Sequence, residues 1–360
     1  MVKKDIKAYN LQQLKQEMLA LGEKEFRAKQ IYEWIHKKQI EDFKEMTNIS
    51  EDFKEKLKER FYLVTLKPLK IQVSKLDGTT KYLFELSDGS RIESVWMKYH
   101  HGNSVCISSQ AGCRMGCRFC ASTLDGLTRS LEVSEMLDQI YRIQRLTKER
   151  VDNVVVMGMG EPFDNYENLL RFIELLTDEN GLNISQRNLT VSTCGLTEKI
   201  RELAEEKLQI TLAISLHASN DDLRKQLMPV ANRYSMKELM EACQYYFKKT
   251  GRRITFEYSL IHEVNDKIEY AHELAGWIRH MNCHVNLIPV NPIKERDFKQ
   301  SQKKEILNFK NKLENYGINV TIRREMGGDI DGACGQLRKS YHNEQKEKEN
   351  ESCGCMGKQI

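Results

Sequence analysis

The stretch SVCISSQAGCRMGCRFCAST, residues 104–123, decides the fold class of this chain. It begins with SVCISSQ (104–110), which predicts a β-strand, and continues into a loop that carries Cys113, Cys117 and Cys120. In folds built from alternating strands and helices, functional residues lie just after the carboxyl ends of parallel strands. The cysteine loop is therefore predicted to belong to an active site.

The spacing of the three cysteines, CxxxCxxC, indicates a metal centre held by a single loop. Three thiolates leave one iron of a 4Fe–4S cubane without a protein ligand, which suits an enzyme. A structural zinc site is the alternative, but it usually has four protein ligands. His100 and His101 lie upstream of the strand, and no second CxxC follows at a usual distance. The spacing therefore favours one iron–sulfur cluster per chain over zinc.

Strand and helix patterns alternate from residue 104 onward. The segments between the strands place apolar residues on one helix face, as in SEMLDQIYRIQRL and YENLLRFIELL. Six such units imply a parallel sheet with right-handed crossovers, either open or rolled into an incomplete barrel, because a full barrel needs eight. A further strand could follow at 318–324. The six candidate strands are residues 104–110, 153–158, 188–193, 210–217, 253–261 and 284–290.

The regions on either side of this core have different patterns. Residues 1–62 predict a small helical domain, whose charged face either contacts RNA or is only solvated. Residues 63–100 alternate apolar and polar positions around an Asp-Gly turn, which predicts a β-hairpin or short β extension. The core is assigned to 101–340, and 341–360 predict a flexible polar tail. The three amino-terminal helical patterns are LQQLKQEMLALG, FRAKQIYEWIHKK and SEDFKEKLKERF.

Composition and charge narrow the class of protein. The 360-residue chain is 40% hydrophobic and 30% charged, as is ordinary for a globular protein. Its net charge of +4 permits a nucleic-acid partner without requiring one. No signal peptide or membrane span is predicted, so a cytoplasmic location without membrane contact is expected. Cysteines stay reduced there, and the ten in this chain predict metal binding or catalysis rather than a disulfide framework.

A second motif, VVVMGMGEP (154–162), contains the end of the next predicted strand. Gly158 and Gly160 permit a ligand to approach the backbone closely, and Glu161 could accept a hydrogen bond from an ammonium group. A GxG by itself is more often a tight turn. Its position one crossover after the cysteine loop favours a ligand site.

Taken together, these motifs resemble a known group of enzymes. The cysteine loop, with an aromatic residue before its last cysteine, is similar to that of the radical S-adenosylmethionine (SAM) enzymes, whose GMGEP-like segment holds the SAM amino group. The resemblance narrows to the RlmN/Cfr family of RNA adenine methyltransferases and implies an incomplete (β/α)6 radical SAM barrel. It runs from about residue 10 to about residue 340. The motifs that carry it are GEKEFRAKQIYEWI, SSQAGCRMGCRFCAST, GMGEPFDNYEN, LTVSTCG, AISLHA, NLIPVNP and GGDIDGACGQL.

The resemblance implies methylation of adenine C2, a poor nucleophile that requires a radical route, with two SAM molecules consumed per turnover. Cys334 takes a methyl group from one SAM. The 5′-deoxyadenosyl radical made from the second SAM at the cluster then abstracts a hydrogen from that methyl group. The resulting methylene radical adds to C2, and Glu93 matches the family's proton acceptor. Cys106 then releases the product by forming a disulfide with Cys334, so both thiols must face the site.

The implied substrates are adenines of 23S rRNA, at the peptidyl-transferase centre, and of the tRNA anticodon loop. Further implied partners are SAM and an electron donor such as flavodoxin or ferredoxin, and a monomer is expected. The alternative within the family is Cfr-type methylation of C8, which confers antibiotic resistance. CAST after the cysteines and Pro162 after GMGE resemble RlmN, whereas Cfr-type chains resemble CATG and GMGEA. Two other rivals are an iron–sulfur RNA-binding protein without turnover and a radical SAM enzyme that modifies a peptide.

The resemblance also implies a SAM pocket, whose members each follow a predicted strand. Ser192 and Asn291 can hydrogen-bond polar groups of SAM. The side chain of His217 could equally be a satisfied histidine at a strand end. The implied pocket residues are Gly160, Glu161, Ser192, Ser215, Leu216, His217 and Asn291.

The remaining cysteines carry no motif. Cys194, Cys243 and Cys283 are interpreted as buried thiols. Cys353 and Cys355 form a CxC in the polar tail, and no role is assigned to them.

Overall fold

A computed structural model of the chain describes residues 3–100, 102–292, 295–330, 336–338 and 340–341. Its amino-terminal elements are β1 (Lys4–Asp5), α1 (Leu11–Ala20), α2 (Phe26–Tyr32), α3 (Glu51–Arg60) and β2 (Phe61–Tyr62).

The amino-terminal unit contains the three predicted helices. Asn10 caps α1, because its side chain accepts the N–H of Gln13 while the Gln13 side chain accepts the N–H of Asn10. β1 pairs in parallel with β2, which brings the two ends of the unit together. This strand pair was not predicted, because two residues are too few to show a period.

The region predicted as a hairpin extension is part of the main sheet. Its strands are β3 (Lys67–Val73), β4 (Thr80–Glu85) and β5 (Arg91–Tyr99), which pair antiparallel in that order. β5 also pairs antiparallel with β6 (Gly102–Ile107), the first strand of the core. The hairpin prediction therefore identified β4 and β5 around the Asp-Gly turn, but it missed β3 and the pairing with β6, which a local pattern cannot show.

After β6, the chain forms the cysteine loop and then the remaining parallel strands. A short antiparallel pair, β7 (Gln110–Gly112) and β8 (Leu127–Ser130), flanks the loop. The later strands are β9 (Asn153–Val156), β10 (Leu189–Thr193), β11 (Thr211–Ser215), β12 (Ile254–Leu260), β13 (Cys283–Pro289) and β14 (Asn319–Ile322). The helices of the core are α4 (Val133–Thr147), α5 (Tyr166–Thr177), α6 (Thr197–Glu205), α7 (Asp221–Leu227), α8 (Met236–Thr250), α9 (Ile268–Ile278) and α10 (Lys303–Glu314).

The parallel strands pair in chain order, from β6 through β9 and on to β14. This order has no reversal point, so it is the order of a barrel and not of a doubly wound sheet. The sheet formed by the described residues does not close on itself, because β14 and β3 are its two edges. The prediction of an incomplete barrel is confirmed, and the strand suggested at 318–324 is present as β14.

Apolar strand residues form the core beneath the helices. Val154, Val191, Leu212, Phe256 and Leu287 are each completely buried, one on each of five neighbouring parallel strands. On β9, β10 and β13 the buried positions alternate with partly exposed ones, so one face of each of these strands packs in the core. In the part of the chain described, no helix is long and apolar enough to cross a membrane.

A buried ion pair joins the amino-terminal unit to the core. Lys7 and Asp138 of α4 form a salt bridge, and each side chain is only 1% exposed. Lys7 also donates to the carbonyl of Val64, and Asp138 accepts the N–H of Leu66. These bonds satisfy both charges, so the unit is held against α4 at one defined position.

Candidate active site

A cavity of about 360 Å³ opens at the carboxyl ends of the parallel strands. Its walls contain residues from the ends of β6, β9, β10, β11 and β12, as the fold class predicts. The predicted site residues that line it are Cys106, Cys113, Cys117, Cys120, Gly160, Glu161, Ser192, Ser215, His217 and Asn291.

The cysteine loop is closed at its base by backbone contacts. The N–H of Cys113 donates to the carbonyl of Gly126, at 2.9 Å, where the chain returns as β8. A side chain at Gly112 would lie 2.1 Å from that same carbonyl, so only glycine fits there. The hydroxyl of Thr123 donates to the carbonyls of Cys117 and Cys120, at 3.0 and 2.9 Å. These contacts fix the shape of the loop.

All three cysteines of the loop line the cavity, and none of them forms a disulfide within the described residues. Burial raises the pKa of Cys113 to about 12 and raises that of Cys117 well above its ordinary value. Such thiols become thiolates only when a metal displaces the proton. Among the described residues, no three Cys, His, Asp or Glu side chains are arranged to hold one metal ion. Three cysteines on one loop supply a thiolate for each of three irons of a cubane, whereas a structural zinc site usually needs a fourth protein ligand.

The glycines of the GMGEP motif permit close contacts within the chain. A side chain at Gly158 would lie 2.7 Å from the carbonyl oxygen of Ile107. One at Gly160, where φ is +103°, would lie 2.5 Å from Cβ of Gln110. Both glycines therefore pack the end of β9 against the segment that leads into the cysteine loop. Gly160 also lines the cavity, so a ligand can reach its backbone as well.

Glu161 is a buried carboxylate whose two oxygens are held by backbone groups. One oxygen accepts the N–H of Phe163 at 3.0 Å, and the other accepts the N–H of Cys194 at 2.7 Å. Burial raises the pKa of Glu161, and these hydrogen bonds oppose that shift. Each carboxylate oxygen can accept more than one bond, so Glu161 keeps capacity for an ammonium group in the cavity.

Two of the implied SAM-pocket residues have structural side chains. Nδ1 of His217 accepts the N–H of Ser259 at 2.9 Å, and burial lowers the pKa of His217 to about 3. His217 is thus a neutral histidine that joins two strand ends, although its ring also lines the cavity. Leu216 is completely buried in the apolar core, so its side chain does not reach the pocket. In contrast, the hydroxyls of Ser192 and Ser215 are 3.2 Å apart at the cavity wall.

Cys106 and Glu93 lie on neighbouring strands. Cys106 is buried on β6, lines the cavity and pairs with Val95 of β5. Side chains two residues apart on a strand share a face, so Glu93 lies on the same face as cavity-lining Val95. Glu93 itself is absent from the cavity lining of the described residues. Its carboxylate forms a 3.0 Å ion pair with Lys81 and accepts the N–H of Arg338.

From the hairpin pattern of residues 63–100 alone, without the family resemblance, Glu93 would be expected to be solvated, and that expectation is wrong. Both Glu93 and Lys81 are almost completely buried, because β5 is an inner strand of the sheet and not an arm of an isolated hairpin.

Sequence reasoning missed four charged residues of the cavity lining, which are Glu257, Arg323, Arg324 and Glu325. Glu257 lies on β12, is buried and accepts a hydrogen bond from the side-chain amide of Asn286 at 2.9 Å. Burial raises its pKa, and the positive charge of Arg323 opposes that effect. A lone carboxylate within the apolar run RITFEYSLI was the signal available in the sequence.

The remaining cysteines divide into three groups. Cys243 and Cys283 are buried and free, as predicted. Cys194 is also buried and free, and it additionally lines the cavity. Cys334, Cys353 and Cys355 lie outside the described residues.

An incomplete parallel barrel with three cysteines and a GMGEP segment at its carboxyl end defines the class of radical SAM enzymes. Consistent with this, the model of the radical SAM superfamily matches residues 107–275. A crystal structure of a radical SAM methyltransferase from Sphaerobacter thermophilus superposes with a TM-score of 0.89 at 42% identity, covering 92% of this chain and 98% of that one.

The particular family follows from the whole length of the chain. The model of the ribosomal RNA large subunit methyltransferase N-terminal domain matches residues 4–63. A relative from Lachnospira eligens, described as a dual-specificity RNA methyltransferase RlmN, is 66% identical over 94% of this chain and 96% of its own. A relative from Lachnoclostridium phytofermentans with the same description is 62% identical over 94% of this chain and 95% of its own. The chain belongs to the RlmN family of radical SAM RNA methyltransferases. Membership implies SAM and a 4Fe–4S cluster as cofactors.

Proposed function

We propose that this chain methylates C2 of an adenine in 23S rRNA and of an adenine in the tRNA anticodon loop. The observation that carries the proposal is the position of Cys106, whose thiol shares one cavity with the three loop cysteines and Glu161. The description of its relatives as dual-specificity RNA methyltransferases supports two RNA substrates. Three further expectations stay predictions: that the amino-terminal unit contacts RNA, that the protein is a monomer, and that it is cytoplasmic.

The cavity has room and donors for the cofactors that the family implies. Cys113, Cys117 and Cys120, which all line the cavity, would hold the cluster and would leave one of its irons without a protein ligand. Glu161, Ser192, Ser215 and Asn291 provide oxygen and nitrogen groups for the polar part of SAM. When bound, cluster and SAM together supply the methyl group and the radical chemistry.

The residues of the chain then carry the group that is transferred. The thiol of Cys334 loses its proton and takes a methyl group by displacement. After that methyl group loses a hydrogen atom, its carbon bonds to adenine C2 and links the protein to RNA. Once the C2 proton has left, the thiolate of Cys106 attacks the sulfur of Cys334. A disulfide forms as the sulfur–carbon bond breaks, and the released carbon takes a proton to become the methyl group. The unpaired electron left by the loss of the hydrogen atom passes back to the external electron carrier, so the methylated base leaves as a closed-shell product.

Glu93 is the proposed acceptor of the C2 proton. Its carboxylate lies 3.0 Å from the ammonium group of Lys81, and this ion pair fixes its position beside the cavity. The N–H of Arg338, four residues after Cys334, donates to Glu93 at 2.6 Å. The same carboxylate thus anchors the chain segment that follows the methyl carrier.

The test is the product made by the pure protein. The chain is reconstituted anaerobically with iron and sulfide, then supplied with SAM, a reductant and 23S rRNA or tRNA. Mass spectrometry and NMR of the digested RNA should identify 2-methyladenosine. Methylation at C8 only would establish the Cfr-type alternative, and absence of 5′-deoxyadenosine would contradict the radical reaction.

The role of Cys106 is tested by trapping. Cys106→Ala cannot form the resolving disulfide, so it should accumulate an RNA–protein adduct through Cys334, seen as a shifted gel band. Cys243→Ala is the matched control, because Cys243 is a buried thiol of the apolar core. The control should turn over without an adduct. An adduct in neither variant would contradict the proposed mechanism.

A further inference from the structure

Arg224 of α7 is a buried guanidinium that the proposed mechanism leaves without a role. It is the largest side chain among those that are completely buried in the described residues. Nη2 donates to the carbonyl of Cys194 at 2.7 Å, and Nη1 makes a long 3.5 Å bond to the carbonyl of Tyr234. Nε has no hydrogen-bond partner. Asp221, three residues earlier in α7, attracts the guanidinium electrostatically, but no salt bridge joins Arg224 to a carboxylate of the described residues.

A buried cation without a counter-charge is costly, so its presence requires an explanation. Burial lowers the pKa of Arg224, but guanidinium remains charged in proteins. Neutral carbonyls satisfy some of its donors, and Asp221 attracts it without a direct contact, so the charge is only partly balanced. A nearby anion that is bound in the working enzyme would balance that charge.

The helix that carries Arg224 packs directly on the cysteine loop. The carbonyl of Leu227, the last residue of α7, accepts the N–H of Arg118, which lies between two of the loop cysteines. Side chains of α7, including Leu223 and Leu227, share an apolar cluster with Cys117 and Phe119 of the loop. Arg224 thus lies behind the loop, on the side away from the solvent.

The backbone near Cys194 is shaped to admit the guanidinium. Gly195 has a φ of +100°, and a side chain there would lie 3.2 Å from Nη2 of Arg224 and 2.9 Å from Leu239. The carbonyl of Cys194 accepts from Arg224, while its N–H donates to Glu161. One residue therefore connects the buried cation to the carboxylate of the cavity.

We propose that Arg224 is a positioning residue that acts as the counter-charge of the iron–sulfur cluster and favours its reduced form. Three thiolates outweigh the charge of the oxidised cubane, and one electron from the external donor makes the assembly more negative still. A fixed cation behind the loop stabilises the more negative state. The inference rests on the proposed cluster site.

The expected size of the effect follows from Coulomb's law. For a unit charge roughly 10 Å from the cluster, and an effective dielectric constant of about 20, the reduction equilibrium changes on the order of tenfold. For a one-electron couple, a tenfold change corresponds to 59 mV. Removal of the charge should therefore make the cluster harder to reduce.

The experiment measures the reduction potential of the cluster and not activity. Four proteins are reconstituted anaerobically with iron and sulfide: wild type, Arg224→Met, Arg224→Lys and Lys225→Met. Their iron content and visible absorption show whether each has taken up the cluster. Each is then titrated with dithionite and followed by electron paramagnetic resonance. Arg224→Met should require a potential about 59 mV more negative. Arg224→Lys keeps the positive charge, so its reduction potential should lie close to that of wild type.

Lys225→Met is the matched control, because it removes an exposed charge from the neighbouring position of the same helix. Its potential should equal that of wild type, since water screens an exposed charge. An unchanged potential in Arg224→Met with an intact cluster would overturn the inference while leaving the proposed function untouched. The inference would also be overturned if the reduction potential of Lys225→Met shifted as much as that of Arg224→Met.

Loss of the cluster is informative as well. If Arg224→Met takes up no iron while Arg224→Lys does, the charge is required by the cluster and the inference stands. If both lose it, the shape of the guanidinium matters instead of its charge, and the inference is wrong. A wild-type chain without a cluster would contradict this inference and the proposed metal site together.

Discussion

Replacing Gly160 by alanine should destabilise the chain and disturb the cavity, for two reasons that can be worked out from the structure. The added Cβ would lie 2.5 Å from Cβ of Gln110 and 2.7 Å from its backbone nitrogen. Gln110 cannot move aside, because it is completely buried, its N–H donates to Met159, and its side-chain oxygen accepts the N–H of Glu161. In addition, φ at Gly160 is +103°, a conformation that side-chain-bearing residues rarely adopt.

The backbone strain costs about 1–3 kcal/mol, and the steric overlap about 1–3 kcal/mol more. Gly160→Ala should therefore lower the free energy of unfolding by about 2–6 kcal/mol, measured by urea denaturation of the cluster-free chain. Gly276→Ala is the matched control, because Gly276 lies exposed in α9 with no atom within 4 Å of the added Cβ. It should stabilise by roughly 0.5–1 kcal/mol.

The reasoning about Gly160 would be refuted if Gly160→Ala unfolded at the same urea concentration as wild type. It would equally be refuted if both glycine variants shifted in the same direction by the same amount. Reconstituted Gly160→Ala should also bind SAM more weakly in equilibrium dialysis. Gly160 lines the cavity, so the backbone movement that relieves the overlap with Gln110 changes the cavity wall.

Three further changes test other parts of the structure. Lys7→Met leaves the buried carboxylate of Asp138 without its partner and should cost about 3–5 kcal/mol in urea denaturation; wild-type stability would contradict this. Burial lowers the pKa of His36 to about 3, so the unfolded chain binds that proton first and stability falls as pH drops from about 6.5 towards 3. His36→Gln should reduce this slope by about 1.4 kcal/mol per pH unit, which urea titrations at several pH values would show or disprove. Glu257→Gln removes a negative charge from the wall of the cavity, and SAM is positively charged, so the reconstituted variant should bind SAM several-fold more weakly. Equal affinities in equilibrium dialysis would exclude Glu257 from the SAM site.

The alternation of strands and helices, the incomplete barrel and the cysteine loop were all predictable from the amino-acid sequence. They depend on local features: the period of apolar residues, the spacing of Cys113, Cys117 and Cys120, and the position of that loop after a strand. Because parallel strands carry their functional residues at one edge, the sequence also predicted that Cys106 and Glu161 share a site. The cavity contains both, together with the three loop cysteines.

Only the tertiary structure could show the partners of these residues. The partner of Glu93 is Lys81, on an adjacent antiparallel strand, and the pair is buried because β5 joins the core sheet. The partner of Gly160 is Gln110, fifty residues earlier in the chain. Arg224 resembles any other charged helix residue in the sequence, and its burial behind the cysteine loop arises from the packing of α7. A periodic pattern shows which face of an element is buried, but not which element covers it. Packing of residues that are distant in the chain therefore decides which charges are buried and which groups they meet.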